Sequence, residues 1–235
     1  MNKLELEQLL TDSFKITNQE VLESLYIYYE MLYETSKVMN LTTIVELEEA
    51  YIKHFYDSLL LSKTVDLTRN ISLADVGTGA GFPGLVLKIV YPNLKITLIE
   101  PLNKRCKFLQ SVIDKLKLKD IVVLNERAEN AVKTMRESFD IVTARAVAQL
   151  NILSEICVPF VKNNGYFIAL KGASYQEEID SAAIATSKLK VKLTKKELFK
   201  LPLNLGERAI LIYKKFEKTP NIYPRMYAKI KKNPL

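Results

Sequence analysis

The stretch Leu73-Ala74-Asp75-Val76-Gly77-Thr78-Gly79-Ala80-Gly81-Phe82-Pro83-Gly84 decides the fold. Four of the chain's seven glycines lie within it. The run Ile71-Ser72-Leu73-Ala74 reads as the start of a buried strand, and Leu85-Val86-Leu87-Lys88-Ile89-Val90 has helical spacing. Strand, glycine-rich turn and helix make the first βα unit of a nucleotide-cofactor fold. Glycines suit such a turn because it is tight and a ligand must approach the backbone with no Cβ in the way.

The order of residues departs from the dinucleotide fingerprint, which brings a pyrophosphate onto the helix N-terminus. Here it runs Asp75-x-Gly77-x-Gly79-x-Gly81, followed by Phe82 and Pro83. An acid at the strand end calls for a cationic or hydroxyl-rich ligand. S-adenosylmethionine, with its ammonium and sulfonium, meets that requirement.

Working outward, strands are predicted at 71–76, 95–100, 120–125, 139–144 and 166–170, with helices at 83–91, 103–116, 128–136 and 149–162. This alternation implies a parallel sheet covered on both faces. After a polar helix at 174–188, strands near 191–201 and 207–215 are close enough to pair antiparallel across Asn204-Leu205-Gly206. Residues 1–70 read as helices: a short amphipathic start, a second from Asn18 to about Met39, and a third from about Val45 to Leu61. The expected division is a helical extension (1–70), a core (71–216) and a basic C-terminal arm (217–235), which Pro220, Pro224 and Pro234 suggest is extended.

The chain has 235 residues, 48% hydrophobic and 26% charged, with a formal net charge of +7. That charge is unevenly placed. Residues 1–50 hold 3 basic and 10 acidic side chains, 51–212 hold 24 and 16, and 213–235 hold 7 and 1. A basic tail of this density suggests a polyanionic partner. No run reaches membrane-spanning length, and the N-terminus has no apolar signal core, so a cytoplasmic protein is expected. Cys106 and Cys157 are too few for a disulfide framework or a zinc site, and no metal is expected.

Candidate site residues follow the strand ends. Glu100 ends the second strand, where a carboxylate can accept both ribose hydroxyls. Glu129 follows the third, where it or a nearby backbone amide is placed to meet the adenine, with helix capping as the competing role of the acid. Arg145, between Ala144 and Ala146 at the end of the fourth, is placed to hold the cofactor carboxylate or a substrate phosphate. The competing reading is an ion pair with Asp75 or Asp140. Lys171 after the fifth strand faces either the crevice or solvent. His54, the only histidine, is read as packing or surface rather than catalysis.

These residues resemble the RsmG (GidB) family of small-subunit ribosomal RNA methyltransferases over nearly the whole chain. The likeness rests on Asn40-Leu41-Thr42, His54-Phe55-Tyr56-Asp57-Ser58-Leu59 and the stretch from Asp75 to Gly84, whose Gly-Phe-Pro-Gly ending is specific. It continues in Glu100, Lys104-Arg105-Cys106-Lys107-Phe108-Leu109, Arg127-Ala128-Glu129, Ala144-Arg145-Ala146 and Leu170-Lys171-Gly172, and in Tyr223-Pro224-Arg225 and the ending Lys232-Asn233-Pro234-Leu235. The family's usual Gly-x-Pro between those last elements is replaced by Met226-Tyr227-Ala228-Lys229-Ile230.

The resemblance implies a class I S-adenosylmethionine-dependent methyltransferase: Rossmann-like, a mostly parallel sheet with an antiparallel last strand and an N-terminal helical extension. It implies transfer of a methyl group to N7 of a decoding-region guanine in 16S ribosomal RNA. It also implies cofactor contacts at Gly77, Phe82, Glu100, Ala128, Glu129 and Arg145, to which the turn itself adds Asp75, Gly79 and Gly81. Arg145 is the candidate catalytic residue. Lys171, Tyr223, Arg225, Lys229, Lys231 and Lys232 are the candidate RNA contacts, and the expected partner is 16S ribosomal RNA or the small ribosomal subunit, met by a monomer. A nicotinamide dehydrogenase, a small-molecule methyltransferase and a non-catalytic ribosome-assembly factor are the alternative classes.

Overall fold

A computed structural model describes all 235 residues. Seven strands form one sheet: β1 (Ser72–Val76), β2 (Lys95–Ile99), β3 (Ile121–Leu124), β4 (Phe139–Arg145), β5 (Val161–Lys171), β6 (Val191–Lys200) and β7 (Glu207–Lys215). Their order is β3-β2-β1-β4-β5-β7-β6. The first five run parallel, while β7 lies antiparallel to both β5 and β6. The order reverses between β1 and β4, and in open α/β sheets ligands bind outside the strand ends at such a switch point. The glycine-rich turn leaves β1 at that place.

The N-terminal helices complete the core beneath the turn. The helix Lys3–Phe14 starts from a capping box between Asn2 and Glu5, and Gln19–Ser36 from the side chain of Asn18. The latter buries Leu22, Leu25, Tyr28 and Leu32, a helical stripe. Full burial of each such apolar side chain contributes about 1.5–3 kcal/mol. Leu6, Leu10, Leu25 and Leu32 share one apolar cluster with Leu73, Leu85 and Leu98 of the sheet region. Tyr28 reaches further: its hydroxyl donates to the Ala80 carbonyl at 2.5 Å, and its ring stacks on Phe82 and Phe55. The extension is thus the floor on which the glycine-rich turn rests.

Three expectations need correction. The third N-terminal helix is not uniform: Leu47–Ala50 is α, Tyr51–Tyr56 is π-helical, and Asp57–Leu59 resumes α before a 3-10 turn at Leu60–Lys63. The wider π turn buries Tyr51, Ile52, His54 and Phe55 together, and such turns recur at functional sites. The helix expected over 149–162 stops at Cys157, and a short 3-10 turn containing Pro159 leads directly into β5 at Val161. Proline cannot supply the next helical N–H, so the strand starts early. The C-terminal arm is not simply extended, since Tyr227–Lys232 is helical and Ile230 is fully buried.

Candidate active site

Asp75 is fully buried. Its Oδ2 accepts from Thr78 Oγ1 at 2.6 Å and from the Gly84 N–H at 2.8 Å, while Oδ1 has no partner. The carboxylate is directed at the turn's own donors, which corrects the expectation that it faces a ligand. A strand-end acid nine residues before Gly84 closes the turn on itself. Burial pushes its pKa up to about 6, partly opposed by those two hydrogen bonds.

Glu100 does face the turn. Its Oε2 accepts from the Gly79 N–H at 3.0 Å and its Oε1 from the Leu102 N–H at 2.9 Å. The Arg105 guanidinium also approaches Oε2, at 3.8 Å, while Oε1 keeps a further lone-pair direction for a hydroxyl. Gly77 has φ +70°, and a Cβ there would lie 2.7 Å from Val147 Cγ2. Glycine is required there because the left-handed backbone and the packed Val147 side chain leave no room for a Cβ. Beside it lies a cleft of about 240 Å³ lined by Val76, Gly77, Ile99, Ala128, Glu129 and Val147, with Tyr227 from the C-terminal segment. Backbone, carboxylate and apolar walls fit an adenosine with a cationic tail. Gly81 and Phe82 do not line this cleft; Phe82 stacks on Tyr28.

On the other side of Val147 a second cleft of about 560 Å³ is lined by Lys53, His54, Asp57, Arg145, Lys171 and Arg208, among others. Arg145 is anchored here. It donates to the Lys53 carbonyl at 2.8 Å and pairs with Asp57 Oδ2 at 3.1 Å, so its ionic partner is neither Asp75 nor Asp140. Asp140 lies at the start of β4, bound to Ser72 and Lys162. Asp57 also takes Arg208 Nε at 2.9 Å on its other oxygen. One buried carboxylate therefore holds two guanidiniums in the wall of the cleft.

His54 completes this group. Its ring stacks on Phe82 with centroids 4.2 Å apart and planes within 15°. Nδ1 lies 3.2 Å from Arg145 Nη2 and Nε2 lies 3.1 Å from Thr42 Oγ1. A guanidinium has only donors, so Nδ1 accepts and the proton sits on Nε2, directed to Thr42. Burial, then the nearby Arg145 charge, lowers its pKa to about 3. The ring is neutral and acts as a packed acceptor for Arg145.

The candidate RNA contacts divide. Lys171 is buried, donates to the Ala148 carbonyl at 2.7 Å and pairs with Glu178 at 2.6 Å, so its ammonium serves the wall of the cleft. Arg225 forms a two-pronged pair with the fully buried Glu155 at 2.8 and 2.6 Å, and its backbone N–H joins at 2.9 Å. Tyr223 is buried, and its carbonyl accepts from Arg136. These two residues fasten the segment and are not presented to a base or a phosphate. Lys229, Lys231 and Lys232 are exposed.

Sequence reasoning missed the roles of Asp57, Arg208, Tyr28 and Tyr227. Asp57 had a signal, three residues after His54 on a helix, but Arg208 is 151 residues away from it. No side chains gather in a group of three or more His, Cys, Asp or Glu that could hold a metal ion.

A parallel sheet with an antiparallel β7, a glycine-rich β1 turn, and Glu100 closing on that turn define a class I S-adenosylmethionine-dependent methyltransferase. Solved structures share the fold. A S-adenosylmethionine-dependent methyltransferase from Aquifex aeolicus superposes with a TM-score of 0.56 at 16% identity, covering 74% of this chain and 96% of that one. TYW2 from M. jannaschii, in complex with AdoMet, gives 0.53 at 17% identity over 69% and 76%. The family model for rRNA small subunit methyltransferase G matches residues 21–205, and the chain belongs to that family. Among its relatives, ribosomal RNA small subunit methyltransferase G of Staphylococcus carnosus is 44% identical over 93% of this chain and 92% of its own. The protein of that name from Oceanobacillus iheyensis is 45% identical over 91% and 90%.

Proposed function

We propose that the protein transfers a methyl group from S-adenosylmethionine to N7 of a guanine in 16S ribosomal RNA. The observation that carries this reading is the pair of clefts meeting at Val147, one fitted to a nucleoside with a cationic tail and the other walled by Arg145, Arg208 and Lys53. Gly77, Glu100, Ala128 and Glu129 would hold the cofactor. Asp75, Gly79, Gly81 and Phe82 would shape the turn beneath it, which the buried Asp75 carboxylate and the Tyr28 contacts support.

When bound, the cofactor supplies a methyl group on a positively charged sulfur. Guanine N7 carries an in-plane lone pair and no proton, so the N–C bond forms as the C–S bond breaks and no base is required. The residues fit that economy. His54 is held neutral with its acceptor nitrogen occupied by Arg145, and Asp75 is sealed from the cleft. Arg145 and Arg208 are fixed donors for phosphate or for purine acceptors, including guanine O6, while the Lys53 ammonium is paired with Glu49 at 2.6 Å. Lys229, Lys231 and Lys232 extend the cationic surface to the flanking RNA.

The test is methylation of small-subunit RNA, naked and in particles, with labelled cofactor. The product is mapped by reductive strand cleavage, which is selective for 7-methylguanine. Label in a cleavable guanine supports the assignment. Label on an exocyclic amine or a ribose overturns it.

A further inference from the structure

The C-terminal segment is fastened on both sides of Tyr227. Upstream, Arg225 is locked to the buried Glu155, and Arg136 holds the Tyr223 carbonyl. Downstream, Ile230 is fully buried. Between the two anchors Tyr227 opens a six-residue helix, and it alone among residues 217–235 enters the wall of the 240 Å³ cleft. The rest of that wall is Val76, Ile99, Pro101, Val147 and Ile156 with Gly77, Arg127, Ala128 and Glu129, so Tyr227 contributes its only aromatic ring. An aromatic ring among aliphatic wall residues is a setting in which a purine can gain stacking energy.

We propose that Tyr227 is a cofactor-contacting residue whose ring lies against the adenine held beside Ala128 and Glu129. The C-terminal segment is then a wall of the cofactor site as well as a carrier of lysines. This rests on the reading that the cleft holds the S-adenosyl nucleoside. It separates two functions within one short helix: Tyr227 faces the cofactor, and Lys229, Lys231 and Lys232 face solvent.

The experiment is calorimetric titration of the full chain with S-adenosylhomocysteine, using the parent, Tyr227→Ala, Tyr227→Phe and Gly79→Val. Tyr227→Ala should weaken binding about tenfold, the order of one base–aromatic stack. Tyr227→Phe should stay within about twofold, because a stacking ring does not need its hydroxyl. The chain contains no tryptophan, so Tyr227→Trp supplies a sole indole, whose emission should be quenched saturably by the ligand with the calorimetric Kd.

Unchanged binding by Tyr227→Ala overturns the proposal, and tighter binding does too, by making the ring an obstruction. Unquenched indole emission during calorimetric binding also overturns it. If Gly79→Val loses the ligand while Tyr227→Ala keeps it, the cofactor site stands and only the role of Tyr227 fails. A parent chain that binds no ligand sinks both.

Discussion

The two sides of Val147 reach polar order by opposite routes. On the side of the glycine-rich turn, carboxylates bind donors close in the chain: Asp75 Oδ2 takes Thr78 and Gly84 while its Oδ1 stays unpaired, and Glu100 takes Gly79 and Leu102. On the cationic side, guanidiniums are satisfied by a distant carboxylate, a distant histidine and a distant carbonyl. The first arrangement leaves a negative, backbone-lined seat for a cationic cofactor. The second leaves fixed donors for a polyanion.

The comparison is broken most severely at Asp57. Asp57→Ala leaves Arg145 and Arg208 without their shared partner, and loss of one member of a buried ion pair costs about 3–5 kcal/mol. We expect the denaturant midpoint to fall accordingly. Methyl transfer should drop about 100-fold, as misplacement by an ångström can do, with cofactor affinity little changed. Equal loss of cofactor binding would mean that the two sides are not separately built.

The two sides also respond to pH with opposite sign. Asp75 has a folded pKa of about 6 against an ordinary 3.8. The folded state therefore holds its proton longer, and the contribution of this group falls as pH rises between those values, by about 3 kcal/mol. His54 has a folded pKa of about 3 against an ordinary 6.5. Here the unfolded state takes the proton first, so the His54 contribution is present above pH 6.5 and is lost as pH falls toward 3. Thermal denaturation from pH 3.5 to 7, read as differences from the parent, should show Asp75→Asn gaining relative stability toward pH 7. His54→Gln should gain relative stability toward acid. Parallel curves for both variants and parent would remove the contrast.

Gly79→Val sharpens the comparison from the cofactor side. A Cβ at Gly79 meets nothing within 4 Å, but φ is +63°. The fold should therefore lose only about 1–2 kcal/mol, the left-handed penalty, while the new side chain obstructs the seat and cofactor binding is lost. Retained affinity would move the site elsewhere.

The smallest effect on the fold belongs to the tail. Replacing Lys229, Lys231 and Lys232 with Gln should leave stability and cofactor affinity unchanged. It should lower the slope of RNA affinity against salt by up to about three phosphate equivalents. An unchanged slope would return these lysines to ordinary solvated charge.

Which parts were legible follows from the same contrast. The glycine-rich turn is organised by contacts three, nine and 21 residues apart: Thr78 to Asp75, Gly84 to Asp75, and Gly79 to Glu100. Such a seat can be read from spacing, although the spacing could not say that Asp75 turns inward. The cationic cleft joins residues 88, 91 and 151 apart: Arg145 to Asp57, Arg145 to His54, and Arg208 to Asp57. No local pattern encodes those pairings. Arg225 was misread for a related reason, since an arginine in a basic tail resembles a phosphate ligand until Glu155 is found beneath it.

By itself the sequence determined the alternating sheet, the glycine-rich turn and the basic end, because periodicity, glycine placement and charge density are properties of neighbours along a chain. Only the tertiary structure decided that the N-terminal helices form the floor of the turn, that His54 is a neutral acceptor for Arg145, and that Tyr227 returns to the cleft beside Gly77. Each of these depends on burial and on partners many residues away, and desolvation becomes definite only once the whole core has closed.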